Sequence, residues 1–188
     1  MSSWLKRLSE TLAHGQLVRI DRQPMEEDML DGYVVGTSEK FVLLHVLDPN
    51  MYLNGYSAIR VDDIKRYRVL EDNDFFANKA LELREQFPKP LQKLSLFDLR
   101  SLIETANRLY PIITIHREKM DNTVCFIGKV AKLTDKTLSL YEISPSAKWE
   151  RTRRYYFRDI TKVDFGGGYE EALWLVAKKG KHKRRSKA

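Results

Sequence analysis

Cysteine is almost absent from this chain. Cys125 is the only one in 188 residues, which excludes an intrachain disulfide and a cysteine-based metal site. A lone cysteine suits a reducing compartment. Long apolar runs are missing as well. The longest candidate, 41–47, is interrupted by His45 and is far too short to span a bilayer. The opening Met-Ser-Ser-Trp-Leu-Lys-Arg-Leu lacks the continuous apolar segment of a secretory signal. These absences read as a soluble, cytoplasmic protein with no membrane partner. Catalytic signatures are missing too. The Gly166-Gly167-Gly168 run lacks the Gly-Lys-Ser/Thr ending of a phosphate loop. Cys125 has no spaced His/Asn pattern around it, and His45 and His116 have no third placed ligand. The two histidines read as structural, no metal and no cofactor are expected, and the chain reads as a non-enzyme.

What is present is globular: 43% of residues are hydrophobic and 31% charged. The net charge of +7 is unevenly placed. Residues 178–188 hold seven of the 33 Lys and Arg and no acid, leaving 26 basic and 26 acidic residues in 1–177. The body is neutral and the basicity belongs to a tail.

One stretch occurs twice. Residues 153–165 (Arg-Arg-Tyr-Tyr-Phe-Arg-Asp-Ile-Thr-Lys-Val-Asp-Phe) follow the plan of 57–69 (Ser-Ala-Ile-Arg-Val-Asp-Asp-Ile-Lys-Arg-Tyr-Arg-Val), 96 positions earlier. Ile59 and Val61 answer to Tyr155 and Phe157, Asp63-Ile64 to Asp159-Ile160, and Val69 to Phe165. Gly32 precedes Asp63 by 31 positions, as Gly128 precedes Asp159. The repeat predicts an internal duplication.

Apolar spacing and breakers predict the elements. A helix is expected over 3–13, capped by Ser3 and carrying Trp4, Leu5, Leu8 and Leu12 on one face. Strands follow over 17–22, 32–37, 39–47, 56–61 and 65–69, the third buried on both faces. A helix over 73–87, capped by Asn73, carries the stripe Phe76, Ala80, Leu83 and Phe87. Another over 95–109 starts at Ser95. The second set of strands covers 112–117, 124–133, 137–143, 155–158 and 162–165, and a last helix covers 169–179, ended by Gly180. Asp63 and Asp159 are expected to close tight turns by accepting a backbone N–H two residues on. The middle helices are the expected interface between the repeats.

A short helix followed by five strands, with Gly in strand two and a tight turn before strand five, resembles the Sm/LSm-like small barrel, an SH3-like architecture. The motif positions read Thr134-Asp135-Lys136 at one turn and Ile59-Arg60-Val61 before the other, Val61 standing where the family has Gly. The resemblance implies a mainly β, α+β fold of two tandem five-stranded barrels. The repeat divides the chain into 1–92 and 93–180, followed by a basic tail 181–188. The resemblance also implies RNA binding and ring assembly, as Sm-type proteins form rings and bind RNA through loops. The second part is also similar to a bacterial family with no attached activity, sharing Ile-Thr-Ile-His-Arg-Glu, Ile143-Ser144-Pro145 and Asp-Ile-Thr-Lys-Val-Asp-Phe-Gly-Gly.

Two features carry candidate chemistry. Lys178, Lys179, Lys181, Lys183, Arg184, Arg185 and Lys187 form a cluster that would release counterions from phosphates. The competing reading is a solubilising end. With Tyr155 and Phe157 assigned to the core, strand alternation puts Arg154, Tyr156 and Arg158 together outside. An aromatic between guanidinium groups can hold a base or a phosphate. The competing reading is a solvated face paired with Glu142 or Glu150. The function expected is a nucleic-acid-associated binding module, RNA above other polyanions; the alternative is a protein-interaction or self-assembly module.

Overall fold

Runs rich in Val, Ile, Leu and Tyr fit a pleated, half-buried surface, and they build a mainly β, α+β protein. The computed structural model describes residues 3–70 and 75–185. Along the chain come α1 (Ser3–His14), β1 (Leu17–Asp21), β2 (Leu30–Thr37), β3 (Phe41–Leu47), β4 (Leu53–Arg60), β5 (Arg66–Val69), α2 (Phe75–Leu83) and α3 (Leu99–Leu109). There follow β6 (Ile113–Arg117), β7 (Asp121–Leu133), β8 (Thr137–Ile143), β9 (Trp149–Tyr156), β10 (Lys162–Phe165) and α4 (Gly168–Arg185). The strands make one ten-stranded antiparallel sheet, in the order β5-β1-β2-β3-β4-β10-β6-β7-β8-β9. It is open, with β5 and β9 at its ends.

Helices cover parts of both faces. Phe41, Leu43, Ala58, Ile113, Ile115, Leu138, Leu140 and Phe165 lie in the core that α2 and α3 cover through Leu81, Leu99, Leu102 and Ile103. On the other face Val18, Ile20, Val42, Leu44 and Ile59 pack under Leu8 of α1. Ile112 and Ile143 pack under Leu173 and Ala177 of α4. The strand β3 serves both layers, as its unbroken apolar run predicts.

The centre of the sheet is the pairing of β4 with β10, Ile59 against Lys162, Ala58 against Val163, Ser57 against Asp164 and Tyr56 against Phe165. Ala58, Ile59, Val163 and Phe165 are buried. The chain passes so closely here that a Cβ on Gly55, at φ +70, would lie 2.5 Å from the Gly167 nitrogen. Arg60 reaches across the seam and donates from Nε to the Ile160 carbonyl and from Nη2 to the Phe157 carbonyl, both at 2.8 Å.

A charge network lies beside the seam. Arg22, whose side chain is wholly buried, donates to both Glu118 oxygens at 2.8 and 2.5 Å and to Glu26 at 2.8 Å. Lys162 donates to Glu26 at 2.5 Å and lies 3.6 Å from Glu118. Asp164 accepts from Ser57 at 2.6 Å and pairs with His116 at 2.7 Å. Burial pushes the Glu118 carboxyl up, but Arg22, the Thr161 hydroxyl and Lys162 together outweigh it and hold the group below its ordinary range.

Several expectations need correction. The joint between the first and last five strands is chiefly this strand pairing, with side-chain ion pairs, and the middle helices add to it by covering a core shared by strands of both sets. In α2 the buried residues are Ala77 and Leu81; Phe76, Leu83 and Phe87 are exposed, so the expected stripe faces outward. The helix also stops at Leu83, and Glu85 takes a positive φ of 55°. The N-cap of α3 is Asp98, whose side chain accepts from the Ser101 N–H, and not Ser95. The strand β9 begins at Trp149 and ends at Tyr156, so 157 and 158 leave it. The closing helix runs through Gly180 to Arg185. Asp63 does not close its own turn: it takes the Lys119 ammonium at 2.6 Å, while Asp159 faces Arg117 at 3.7 Å. Of the expected caps, Asn73 and the side chain of Ser3 lie outside the described residues.

Two predictions follow from the seam and its surroundings. Replacing Glu118 by Ala leaves Arg22 and Lys162 buried with less counter-charge, and chemical denaturation is expected to show a loss of about 3–5 kcal/mol. The double variant Arg22→Met/Glu118→Leu recovers most of that loss. The second concerns pH. Burial, with the Lys89 charge second, pulls the His45 imidazole from 6.5 to about 4. The unfolded chain therefore takes up this proton first as pH falls. Stability is full above pH 6.5 and drops toward pH 4 by up to about 3 kcal/mol. The seam adds a lower window. Burial raises Asp164, but His116, Lys162 and Ser57 outweigh it and hold it at about 2 against an ordinary 3.8. Its contribution is present above pH 4 and is lost as pH falls through 2. Thermal melts from pH 8 to 2 check both windows, and His45→Asn, which retains an acceptor for the Lys89 N–H, flattens the upper one.

Candidate nucleic-acid interface

The strand β9 is held by alternate residues on its core face. Tyr155 is 4% exposed, donates its hydroxyl to Glu142, and packs its ring 4.9 Å from Phe126. Burial and the Glu142 acceptor push the Tyr155 phenol well up. Arg153 lies with its Nε 3.3 Å from the buried Glu142 carboxylate. With these residues turned inward, Arg154 and Tyr156 turn outward and are exposed, Tyr156 at 48%. That part of the sequence reading describes the geometry correctly.

Arg158 reaches the same place by another route. It sits in the 3-10 turn Phe157–Asp159 and not on a strand. Its guanidinium folds back to 5.1 Å from the Tyr156 ring centroid, with Nε 3.6 Å from Asp159. All three residues are therefore neighbours, with the aromatic ring sandwiched in sequence between two cations.

Sequence reading missed the rest of the face. A register shift in β7 between Val130 and Lys132 sets Lys132 opposite Ser139, which lies opposite Arg154. Lys132 is exposed. The row Lys132–Ser139–Arg154 spans two strand spacings, about 10 Å. Lys129 pairs across to Tyr141 one step along, and its Nζ lies 4.2 Å from the Trp174 ring centroid and 5.6 Å from that of Trp149. Tyr141 and Trp149 stack at 4.9 Å. A one-residue shift is invisible in a hydrophobic pattern, and Lys132 and Arg154, 22 positions apart in sequence, carry no local signal of being neighbours across β8.

The Lys129–Trp174 contact also bears on the helix that leads into the basic tail. It ties α4 to the sheet, with Leu173 and Ala177 of the helix buried beside it. Lys178 and Lys179 are exposed on this anchored helix. Lys181, Lys183, Arg184 and Arg185 occupy its last turns, and their side chains, like Lys187, lie outside the described residues.

A second cluster of ionisable side chains lies beside the seam. A cleft of about 410 Å³ there is lined by Glu26, His116, Glu118, Cys125 and Lys162 among others. Its His116 pairs with Asp164, which also meets Ser57 of β4, and the three resemble a nucleophile relay in composition only. The carboxylate stands in the middle, accepting from Ser57 and pairing with His116, so no imidazole reaches the hydroxyl. The Cys125 thiol is pushed up by partial burial and by the Asp164 and Glu170 carboxylates, the reverse of an activated thiolate. His45 is stacked 4.5 Å from Tyr56 and accepts from the Lys89 N–H at 3.3 Å. Among the described residues no three His, Cys, Asp or Glu side chains are grouped to hold a metal ion. No helix among them is long and apolar enough to cross a membrane.

Comparison with protein-family profiles, with curated proteins and with solved structures found no match to this chain.

Proposed function

We propose that this protein is a non-enzymatic binding module whose ligand is RNA or another nucleic-acid polyanion. The observation that carries the reading is the outer face of β7, β8 and β9. It sets Lys132 and Arg154 in one row and places Tyr156, half exposed, between Arg154 and Arg158. Cations spaced along a strand face hold phosphates, and an exposed ring offers a stacking surface to an unpaired base. The exposed Lys178 and Lys179 of α4 add non-specific attraction at the helix end that begins the tail.

The same reading extends to architecture. Each block of five strands, β5-β1-β2-β3-β4 and β10-β6-β7-β8-β9, follows the strand order of a small Sm-like barrel, and the 96-residue sequence repeat supports descent from one duplicated unit. Units at 1–92 and 93–180, with a tail at 181–188 and a cytoplasmic location, complete the proposal. An assembly module is the second reading. Phe76 and Leu83, 71% and 74% exposed on one side of α2, favour it as a protein-contact surface.

Binding of labelled single-stranded RNA at two salt concentrations tests the first reading. Replacing Arg154, Tyr156 and Arg158 by Ala is expected to weaken binding roughly ten- to hundredfold in a chain that melts normally. Lys132→Ala adds a further loss that is larger at low salt. Changing Lys178 and Lys179 to Gln lowers the salt slope, by about 0.7 per phosphate contact removed. Unchanged affinity in the folded triple variant removes the strand face from the function. No RNA binding by the native chain leaves the assembly reading.

A further inference from the structure

The two ends of the sheet differ from its centre in a way that selects a partner. The strand β9 pairs with β8 along one side, and among the described residues no strand pairs with its other side. Its eight residues leave about 26 Å of main-chain donors and acceptors unoccupied, a template for a further strand. The opposite end, β5, is only four residues long.

The seam shows what a strand joined edge to edge looks like in this molecule. The pairs between β4 and β10 are apolar, small or neutralised, and none sets like charges opposite each other. The free edges are different. Arg151 and Arg154 of β9 are exposed, and Arg153 is compensated by Glu142. Arg66 and Arg68 of β5 are exposed too, Arg66 lying 3.6 Å from Asp21. Moving the seam pairing by the 96-residue spacing of the sequence repeat would join β9 of one chain to β5 of another with Arg68 opposite Arg153. Like charges directly opposite destabilise an antiparallel pair. Glu142 offsets Arg153 in part, but β9 with three Arg and one Glu and β5 with two Arg are both net positive, which disfavours a second copy of this chain as the occupant.

We infer that the free edge of β9 accepts an extended, acidic segment of another protein, which adds to the sheet as an eleventh strand. Main-chain bonds supply the affinity in such a pairing and alternate side chains supply the specificity. Arg151 and Arg154 are three positions apart and point to opposite faces, so the partner needs carboxylates three residues apart. Glu150 is the one acid in the strand, so the carboxylates belong opposite its middle and the apolar positions opposite Tyr155 and Tyr156. The inference uses the edge of the strand and stands apart from the outer-face reading, although Arg154 serves both.

The test uses the full chain and a ten-residue peptide of alternating Val and Thr with two Glu three residues apart, measured by fluorescence polarisation. Two companions complete the set: one with Lys in place of Glu, and one N-methylated at alternate amides. The Glu peptide is expected to bind about tenfold more tightly than the Lys peptide. N-methylation on the edge-facing amides abolishes binding. The variants Arg151→Glu and Arg154→Glu together reverse the preference in favour of the Lys peptide, and their melting temperature confirms that they fold. Equal binding of the N-methylated peptide overturns the inference, since charge alone would then hold it. So does indifference to the sign of the peptide charge, or a discrete oligomer in sedimentation that the same two reversals dissociate. An RNA-binding result that fails while the peptide binds removes only the outer-face reading.

Discussion

Everything in this molecule depends on one strand junction being completed with charge. The strand β10 sits between β4 and β6, and three of its four residues are buried. One of these is Lys162, an ammonium in the middle of a ten-stranded sheet. Such a group is tolerated only where carboxylates are already in place, and Glu26, Glu118 and Asp164 are there. Glu26 comes from the loop after β1 and Glu118 from the loop after β6. The charge requirement thus ties together loops that the hydrogen-bonded ladder alone would leave independent. Arg22 and Arg60 add to this, one bridging carboxylates and the other fastening the carbonyls of the 157–160 turn.

Much of this fold was legible because it is written in periods of two and in turn chemistry. The strand β3, apolar on both faces, and the alternation that buries Tyr155 and frees Arg154 and Tyr156 could be read directly. Helices were less legible. In α2 two apolar arcs compete, and the larger side chains of Phe76 and Leu83 suggested the wrong one. Ala77 and Leu81 face the core instead, at 7% and 2% exposed. Gly180 was read as a stop, but a glycine inside a helix costs only about 1 kcal/mol and does not end it by itself.

The site was half legible for a different reason. Sequence periodicity reports which face a residue occupies, but not which residues of other strands lie beside it. Lys132 joined the face through a register shift, and Lys129 joined it through contact with two tryptophans, Trp149 and Trp174. Arg158 was placed correctly for the wrong reason, arriving from a turn and not by strand alternation. The seam charges were likewise invisible: Arg22 and Glu118 are 96 positions apart.

The strand order has a temporal side. The last strand in chain order, β10, is one of the two central ones. During synthesis β4 emerges with the edge carrying Ala58 and Ile59 open, and more than 100 residues separate Ser57 from the Asp164 that covers it. The first five strands can pair among themselves early, since their contacts are local. The sheet as a whole is joined only after the ribosome has delivered β10, which then inserts between β4 and β6. Pairings of such separation are slow to form. For a time the nascent chain presents an uncovered apolar edge at its centre, while its eventual outer edges already carry their arginines.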